Sequence, residues 1–286
     1  MDKVIGLGKL GCAIAEHLTS YPEYRVYKID SEIKERGSLS IGEHSGHDDY
    51  EHNLDQDEVA VYLRSIKKKD DVLMVVEGGD PVSGAILRIL ETIKDSKLNV
   101  LYVVPDRTMC SEVQRRDDKI AFNVLQEYAR SGVFENIFLV HRQAVDNLVG
   151  DVAIQEYENS VSYFISYVVA MINFFNHTDP ILANKIEPHN ISRIATFGVS
   201  SLEEDQKEVK LLFPLESARD IHFFYGIPEP ALDEDPSLTN KIKQHVKSFK
   251  EDGKSTSFSV YSTDFENLMV LCVAYSSEIQ PVLDTI

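Results

Sequence analysis

The first 150 residues alternate short apolar runs with segments whose apolar positions recur every three or four residues. A short apolar run that ends at a turn is typical of a buried strand, and the wider spacing is typical of a helix. Strands are predicted at 3–8, 24–30, 71–76, 99–104 and 136–140, helices at 11–19, 54–65, 82–93 and 119–129, and a loop at 37–53. This alternation predicts an α/β fold with a mostly parallel sheet covered on both faces.

Residues 152–176 predict one long helix, about 37 Å in length at 1.5 Å per residue. From Val161 onward it is apolar on nearly every side, which indicates a helix buried between two packed parts of the protein. The pattern then changes to a smaller α+β unit. Its predicted elements are strands at 193–199 and 220–225, an acidic surface loop at 229–235, a helix at 239–250, and strands at 257–262 and 268–274 that form a hairpin. We therefore expect a nucleotide-binding domain at 1–150, a central helix at 151–178 and a C-terminal domain at 179–286.

Composition narrows the classes of partner. The formal net charge is −18 and the sequence pI is about 4.9. Binding to nucleic acid needs clustered Lys and Arg, so we expect no direct nucleic-acid partner. Three widely separated cysteines fit neither a disulfide framework nor a zinc site. No apolar stretch is long enough to span a bilayer and no signal peptide precedes the first strand, so we expect a cytoplasmic protein without membrane insertion.

Two glycine-bearing turns between a predicted strand and a predicted helix are the candidate chemistry. The first reads GLGKLGCA at 6–13 and the second EGGDPVSGA at 77–85. Such turns direct backbone N–H groups and a helix N-terminus at a phosphate, although a tight turn alone also requires glycine. Two turns in this order predict a nucleotide held between them. The candidate contacts are Gly8, Lys9, Leu10, Gly11, Cys12, Gly78, Gly79, Ser83 and Gly84.

Several segments, in order and spacing, resemble the tubulin/FtsZ superfamily. The segment KVIGLG at 3–8 looks like the first strand and glycine turn of FtsZ, and GGDPVSGA at 78–85 looks like a divergent form of the glycine-rich tubulin signature. The segment LESAR at 215–219 resembles the opening of the second half of the C-terminal domain. The resemblance extends over residues 2–275 and covers most of the chain.

The resemblance implies a Rossmann-like nucleotide domain, a long central helix and a smaller α+β C-terminal domain. It also implies binding of GTP or GDP, self-assembly into head-to-tail cytoskeletal filaments, and GTP hydrolysis in a site that the next subunit completes. Asn159 stands at the position of the residue that recognises the guanine base in the family. Arg107 lies in the loop that contacts the ribose and phosphate in the family. Asp179 stands where the family has its first catalytic acid, although the residues alone favour a helix-ending position before Pro180.

The chain departs from the family pattern in its charges. Glu77 and Asp80 bring carboxylates into the phosphate loop, and Pro81 removes one N–H donor. Each carboxylate would face a polyphosphate of the same sign unless a cation such as Mg²⁺ intervenes. Leu182 stands at the position of the second catalytic acid. These departures favour an alternative, a pseudo-GTPase interaction module of the same fold, so whether the chain is a working GTPase stays open at this point.

A second alternative is an NAD-dependent oxidoreductase. Gly6, Gly8 and Gly11 form a GxGxxG motif, and Asp30 follows at the spacing of the acid that binds the ribose hydroxyl. The rest of the chain shows no recognisable catalytic set for hydride transfer. The histidines and acids at 44–52 are interpreted as a solvated loop rather than a metal site.

Overall fold

The computed structural model describes residues 1–184, 188–203, 208–250 and 254–283. The first half of the chain contains β1 (Lys3–Leu7), α1 (Gly8–Leu18), β2 (Arg25–Asp30), β3 (Leu39–Ser40), α2 (His47–Asn53), α3 (Gln56–Tyr62), β4 (Asp71–Glu77), a short 3-10 helix (Pro81–Ala85), α4 (Ile86–Thr92), β5 (Lys97–Val104), α5 (Glu112–Arg130), β6 (Asn136–His141) and α6 (Arg142–Val149). The second half contains α7 (Tyr157–Asn176), β7 (Leu182–Asn184), β8 (Ile194–Ser200), β9 (Lys210–Leu211), β10 (Asp220–Pro228), α8 (Glu229–Glu234), α9 (Leu238–Ser248), β11 (Ser255–Thr263) and β12 (Met269–Ser276).

The first six strands form a parallel sheet in the order β3-β2-β1-β4-β5-β6. The chain moves outward from β1 to β2 and β3, then returns past β1 to β4, so the direction of winding reverses between β1 and β4. Open α/β sheets bind ligands in the crevice at the carboxyl ends of the strands where this reversal occurs. Both glycine-bearing turns follow these two strands and therefore meet at that crevice.

The continuous apolar runs of the central strands follow from burial on both faces. Leu73 and Val75 of β4 pack in the core on the side of α1 and α7. Met74 and Val76 pack in the core on the side of α3, α4 and α5. Successive strand side chains point to opposite faces, so a strand between two helical layers reads as apolar at every position. The predicted α/β fold class, with its covered parallel sheet and long helix, is confirmed.

The described strands join in one sheet across both halves. β8 pairs in parallel with β6, and β12, β10, β11 and β7 follow outward, with β9 paired to β8. The helix α7 packs against both halves, because its core contains Leu73 and Val75 together with Phe224 and Leu271. The predicted domain boundaries stay a prediction. No helix of the described part of the chain is long and apolar enough to span a bilayer.

Four local predictions are wrong. β11 and β12 do not form a hairpin, since β10 lies between them, parallel to β11 and antiparallel to β12. Neighbours in sequence usually pair, which is why the pattern favoured a hairpin. Residues 229–234 form α8 instead of a loop. Pro230 does not prevent this helix, since it stands in the first turn, where proline is tolerated. Residues 47–53 form α2, and the long helix begins at Tyr157 rather than at residue 152.

Gly6 gives a first test of how closely α1 packs on β1. A Cβ at Gly6 would overlap the carbonyl of Gly11 and lie 2.8 Å from the Cα of Cys12. We expect Gly6→Ala to lower the free energy of unfolding in urea by about 1–3 kcal/mol, since backbone rather than a flexible side chain must move. Gly46→Ala is the control, because no atom lies within 4 Å of the added carbon. Equal urea midpoints for the two variants would contradict the close packing.

Candidate functional site

The crevice at the carboxyl ends of β1 and β4 opens into a cleft of about 710 Å³. This volume lies within the range of small-molecule sites, which is about 300–1,000 Å³. The segments that follow four neighbouring strands, β1, β4, β5 and β6, and the first turn of α7 contribute to it. Its walls are formed by Lys9, Glu77, Gly78, Gly79, Asp80, Pro81, Pro105, Asp106, Met109, Cys110, Gln114, Arg142, Tyr157 and Glu158.

The first glycine turn packs closely on the sheet, and most of its residues are buried. Gly8 has a φ of +73°, which lets α1 begin directly at the end of β1. A Cβ at Gly11 would lie 2.5 Å from the carbonyl oxygen of Val75. Leu10 is buried, and the Cys12 thiol donates to the Gly6 and Ile29 carbonyls at 3.4 and 3.5 Å. Of this turn, only Lys9 lines the cleft.

The second glycine turn is divided between the cleft and the interior. A Cβ at Gly78 would overlap the Tyr102 hydroxyl and the Asp118 carboxylate, and Gly79 has a φ of +74°. Ser83 is buried, and Gly84 packs directly against the backbone of His47. Gly78 and Gly79 therefore line the cleft, whereas Ser83 and Gly84 face α2. Phosphate contacts from either turn stay a prediction.

The carboxylate of Asp80 lies between the two turns. Its carboxylate accepts the Val82 N–H at 3.1 Å and so caps the 3-10 helix. Asp80 Oδ2 is 2.7 Å from the place where a Cβ of Gly8 would lie, so the carboxylate lies against the start of α1. Burial raises the pKa of Asp80, the Val82 and Lys9 N–H groups oppose the rise, and the charge of Asp30 adds to it.

Arg142 carries the guanidinium that lines the cleft. It lies at the first position of α6, directly after β6, and bonds Glu77 at 2.7 Å and Glu158 at 2.5 Å. Its guanidinium also lies 5.4 Å from the ring centroid of Tyr157, whose hydroxyl donates to Asp146 at 2.8 Å. Burial raises the pKa of Glu77, and the charge of Arg142 counteracts this rise.

Sequence reasoning missed Arg142, Tyr157 and Glu158. The available signal for Arg142 was its position directly after an apolar strand, because the carboxyl ends of parallel strands meet at one edge of a sheet. Arg107, which the sequence assigned to the nucleotide, is instead 1% exposed. Its Nε donates to Asp118 at 2.5 Å, and its guanidinium also bonds the carbonyl of Leu283. Arg107 does not line the cleft, and its predicted contact with nucleotide stays a prediction.

Asn159 and Asp179 lie at opposite ends of α7. Asn159 is exposed in the first turn of this helix, beside the cleft-lining Glu158. Asp179 is exposed beyond the last turn. The 20 residues of α7 span about 30 Å, so one chain does not bring Asp179 to its own cleft. Their roles at a nucleotide stay predictions.

No cluster of three metal-ligating side chains occurs in the part of the chain that the structure describes. Of the histidines at 44–52, His47 and His52 lie on α2, and the His52 Nδ1 is 2.6 Å from the carbonyl of Asp48 within the same helix. That contact occupies one ring nitrogen with helix backbone.

No family model and no curated protein sequence matches the chain. Solved structures do match it over nearly all its length. A GTPγS-bound protofilament of CetZ2 from Haloferax volcanii has 15% identity and a TM-score of 0.75, covering 96% of this chain and 92% of its own. An FtsZ dimer from M. jannaschii has 13% identity and a TM-score of 0.71, covering 96% and 87%. A GTPγS-form protofilament of TubZ from Bacillus thuringiensis has 13% identity and a TM-score of 0.70, covering 98% and 88%. The chain therefore has the tubulin/FtsZ fold.

Proposed function

We propose that this protein binds a guanine nucleotide in the cleft between β1 and β4 and assembles head to tail into filaments. The observation that carries the proposal is the position of that cleft. It lies at the winding reversal of the sheet, beside the first turn of α7, with the exposed Asp179 about 30 Å away at the other end of the helix. CetZ2 and TubZ, which share the fold, are known as GTPγS-form protofilaments.

The nucleotide would lie with its phosphates towards Lys9 and Gly79 and its base towards Asn159. A left-handed glycine at position 79 turns the chain so that backbone can approach a ligand closely. An Asn side chain offers one acceptor and two donors, which match the mixed edge of guanine. Arg142 would supply the nearby positive charge, in part offset by Glu77 and Glu158.

Exposed apolar side chains at both ends support a head-to-tail interface. Met109 at the rim of the cleft is 82% exposed. Beyond the far end of α7, Ile181 and Leu182 are 57% and 43% exposed. An interface between two different surfaces repeats into an open filament, and it would bring Asp179 over the next cleft. We assign Asp179 the role of activating water there, and Leu182 replaces the second acid that the family resemblance implies.

Sedimentation with GTP and Mg²⁺, combined with phosphate release in the same tubes, tests the proposal. We expect protein to pellet with GTP and not with GDP, at an ionic strength high enough to screen the net charge of −18. Slow phosphate release should follow pelleting, because the next subunit completes the site. Equal amounts in the pellet with GTP, with GDP and without nucleotide would contradict nucleotide-dependent assembly and support the pseudo-GTPase alternative.

Asn159→Ala tests whether the Asn159 side chain recognises the guanine base. We expect the Kd for GTP to rise about tenfold, the effect of about one lost net hydrogen bond to the base, and the ratio of GTP to ATP affinity to fall. Isothermal titration calorimetry with both nucleotides measures this ratio. Gln155→Ala, which removes an exposed polar side chain before α7, is the control and should keep the preference. An unchanged GTP-to-ATP ratio in Asn159→Ala would refute the assignment.

Asp179→Ala tests the action of this residue across an interface. We expect the monomer to bind GTP as tightly as the wild type, since Asp179 lies at the far end of α7 from the cleft. Phosphate release per pelleted subunit should fall at least about 100-fold, the usual scale for a general base. Asn176→Ala, an exposed change on the last turn of α7, is the control. A parallel loss of GTP binding would show that Asp179 has a structural role only.

A further inference from the structure

The carboxylate of Asp80 lies over the N-terminus of α1. Its Oδ2 is 2.7 Å from the place where a Cβ of Gly8 would lie, and the nearby Lys9 N–H lowers the pKa of this carboxyl against the larger effect of burial. The other carboxylate oxygen accepts the N–H of Val82. One side chain thus accepts a backbone N–H of the second glycine-bearing turn and lies against Gly8 of the first, a residue that the sequence analysis assigned to phosphate.

Within α1 nothing else supplies an anion at this end. The residue that precedes the helix is Leu7, which makes no side-chain capping bond, and the first turn contains no acidic residue. The first N–H groups of a helix lack intrahelical partners, and the helix dipole favours negative charge beside them. Asp80, which comes from the loop after β4, provides that charge.

A carboxylate oxygen and a phosphate oxygen are the same kind of ligand for a backbone N–H group, since both are anionic acceptors. They also cannot both occupy one small position, because two like charges a few ångströms apart repel strongly in a partly buried site. Burial and the charge of Asp30 raise the pKa of Asp80, and the charge of Asp80 in turn raises the pKa of Glu77. A phosphate would add further negative charge to this group.

We propose that Asp80 is the residue that sets the charge selectivity of the cleft: its carboxylate lies against Gly8 at the start of α1, and a polyphosphate binds there only by displacing it. The proposal deepens the proposed function and depends on it for the identity of the nucleotide. The competition between Asp80 and a bound phosphate does not depend on the proposed function, because any polyphosphate would meet the same carboxylate. The cleft then selects ligands by their charge, because each further phosphate group of a ligand has to compete with Asp80 or remain outside the turn.

The test compares Asp80→Asn with Asp106→Asn, using inorganic tripolyphosphate as the probe and with divalent cations chelated. Asn at position 80 keeps an oxygen that can cap the 3-10 helix, so the loop is expected to fold. Asp106 also lines the cleft, and its carboxylate bonds its own loop at Thr108. The two variants therefore remove the same charge from the cleft, and only one of them clears the start of α1.

We expect Asp80→Asn to bind tripolyphosphate at least about tenfold more tightly than the wild type, with Asp106→Asn improving binding only about two- to threefold. Calorimetry gives both affinities. Backbone amide NMR should show that the probe shifts the Gly8 and Lys9 resonances in Asp80→Asn and barely moves them in the wild type.

Three outcomes would overturn the inference. The first is an equal gain in tripolyphosphate affinity in Asp80→Asn and Asp106→Asn, which would mean a general effect of charge. The second is that the wild type binds tripolyphosphate as tightly as Asp80→Asn does. The third is that Asp80→Asn does not bind tripolyphosphate. The proposed function fails in a different way. If Asp80→Asn binds tripolyphosphate more tightly yet neither protein prefers GTP to ATP or pellets with GTP, the role of Asp80 stands and the guanine-nucleotide filament does not.

Discussion

Close backbone contacts between β1, α1 and β4 determine the position of the first glycine-bearing turn at the cleft. A Cβ at Gly6 would overlap the Gly11 carbonyl, and a Cβ at Gly11 would lie 2.5 Å from the Val75 carbonyl oxygen. Because both side chains are absent, α1 lies directly on the sheet and its first N–H groups reach the crevice at the strand ends. Gly78, in the turn after β4, also permits close packing, because Tyr102 and Asp118 leave no room for a Cβ there. The cleft exists because these backbones approach so closely.

The sequence predicted the parts of this arrangement that are local. Strand and helix patterns gave the parallel sheet, and the glycine spacing gave both turns. Contacts between distant segments could not be predicted in the same way. Arg142 reaches Glu77 only because β4, β5 and β6 are neighbours in the sheet, and Arg107 is buried because Leu283 returns to it from the far end of the chain. Cys12 has the spacing of a phosphate contact, yet helical geometry turns its thiol towards the core.

The two unexpected acids of the cleft are accommodated by different physical means. Glu77 is paired with Arg142, which also bonds Glu158, so one positive charge serves two carboxylates in a partly buried place. Asp80 has no cationic partner among its bonds in the described residues and is stabilised by backbone N–H groups instead. The first arrangement offsets part of the negative charge with a cation, whereas the second takes up a backbone N–H of the glycine-bearing turn itself. Two carboxylates in one cleft therefore differ in what they leave for an anionic ligand.

The helix α7 and the C-terminal segment connect the two halves of the chain in different places. α7 packs into a core shared by both halves. The segment after β12 returns to α5, where the Gln280 N–H donates to the Gln126 side chain at 2.7 Å and the Gln126 side chain donates to the Gln280 carbonyl at 3.3 Å. Breaking such buried bonds without replacement costs about 1–3 kcal/mol each, so the halves resist separation.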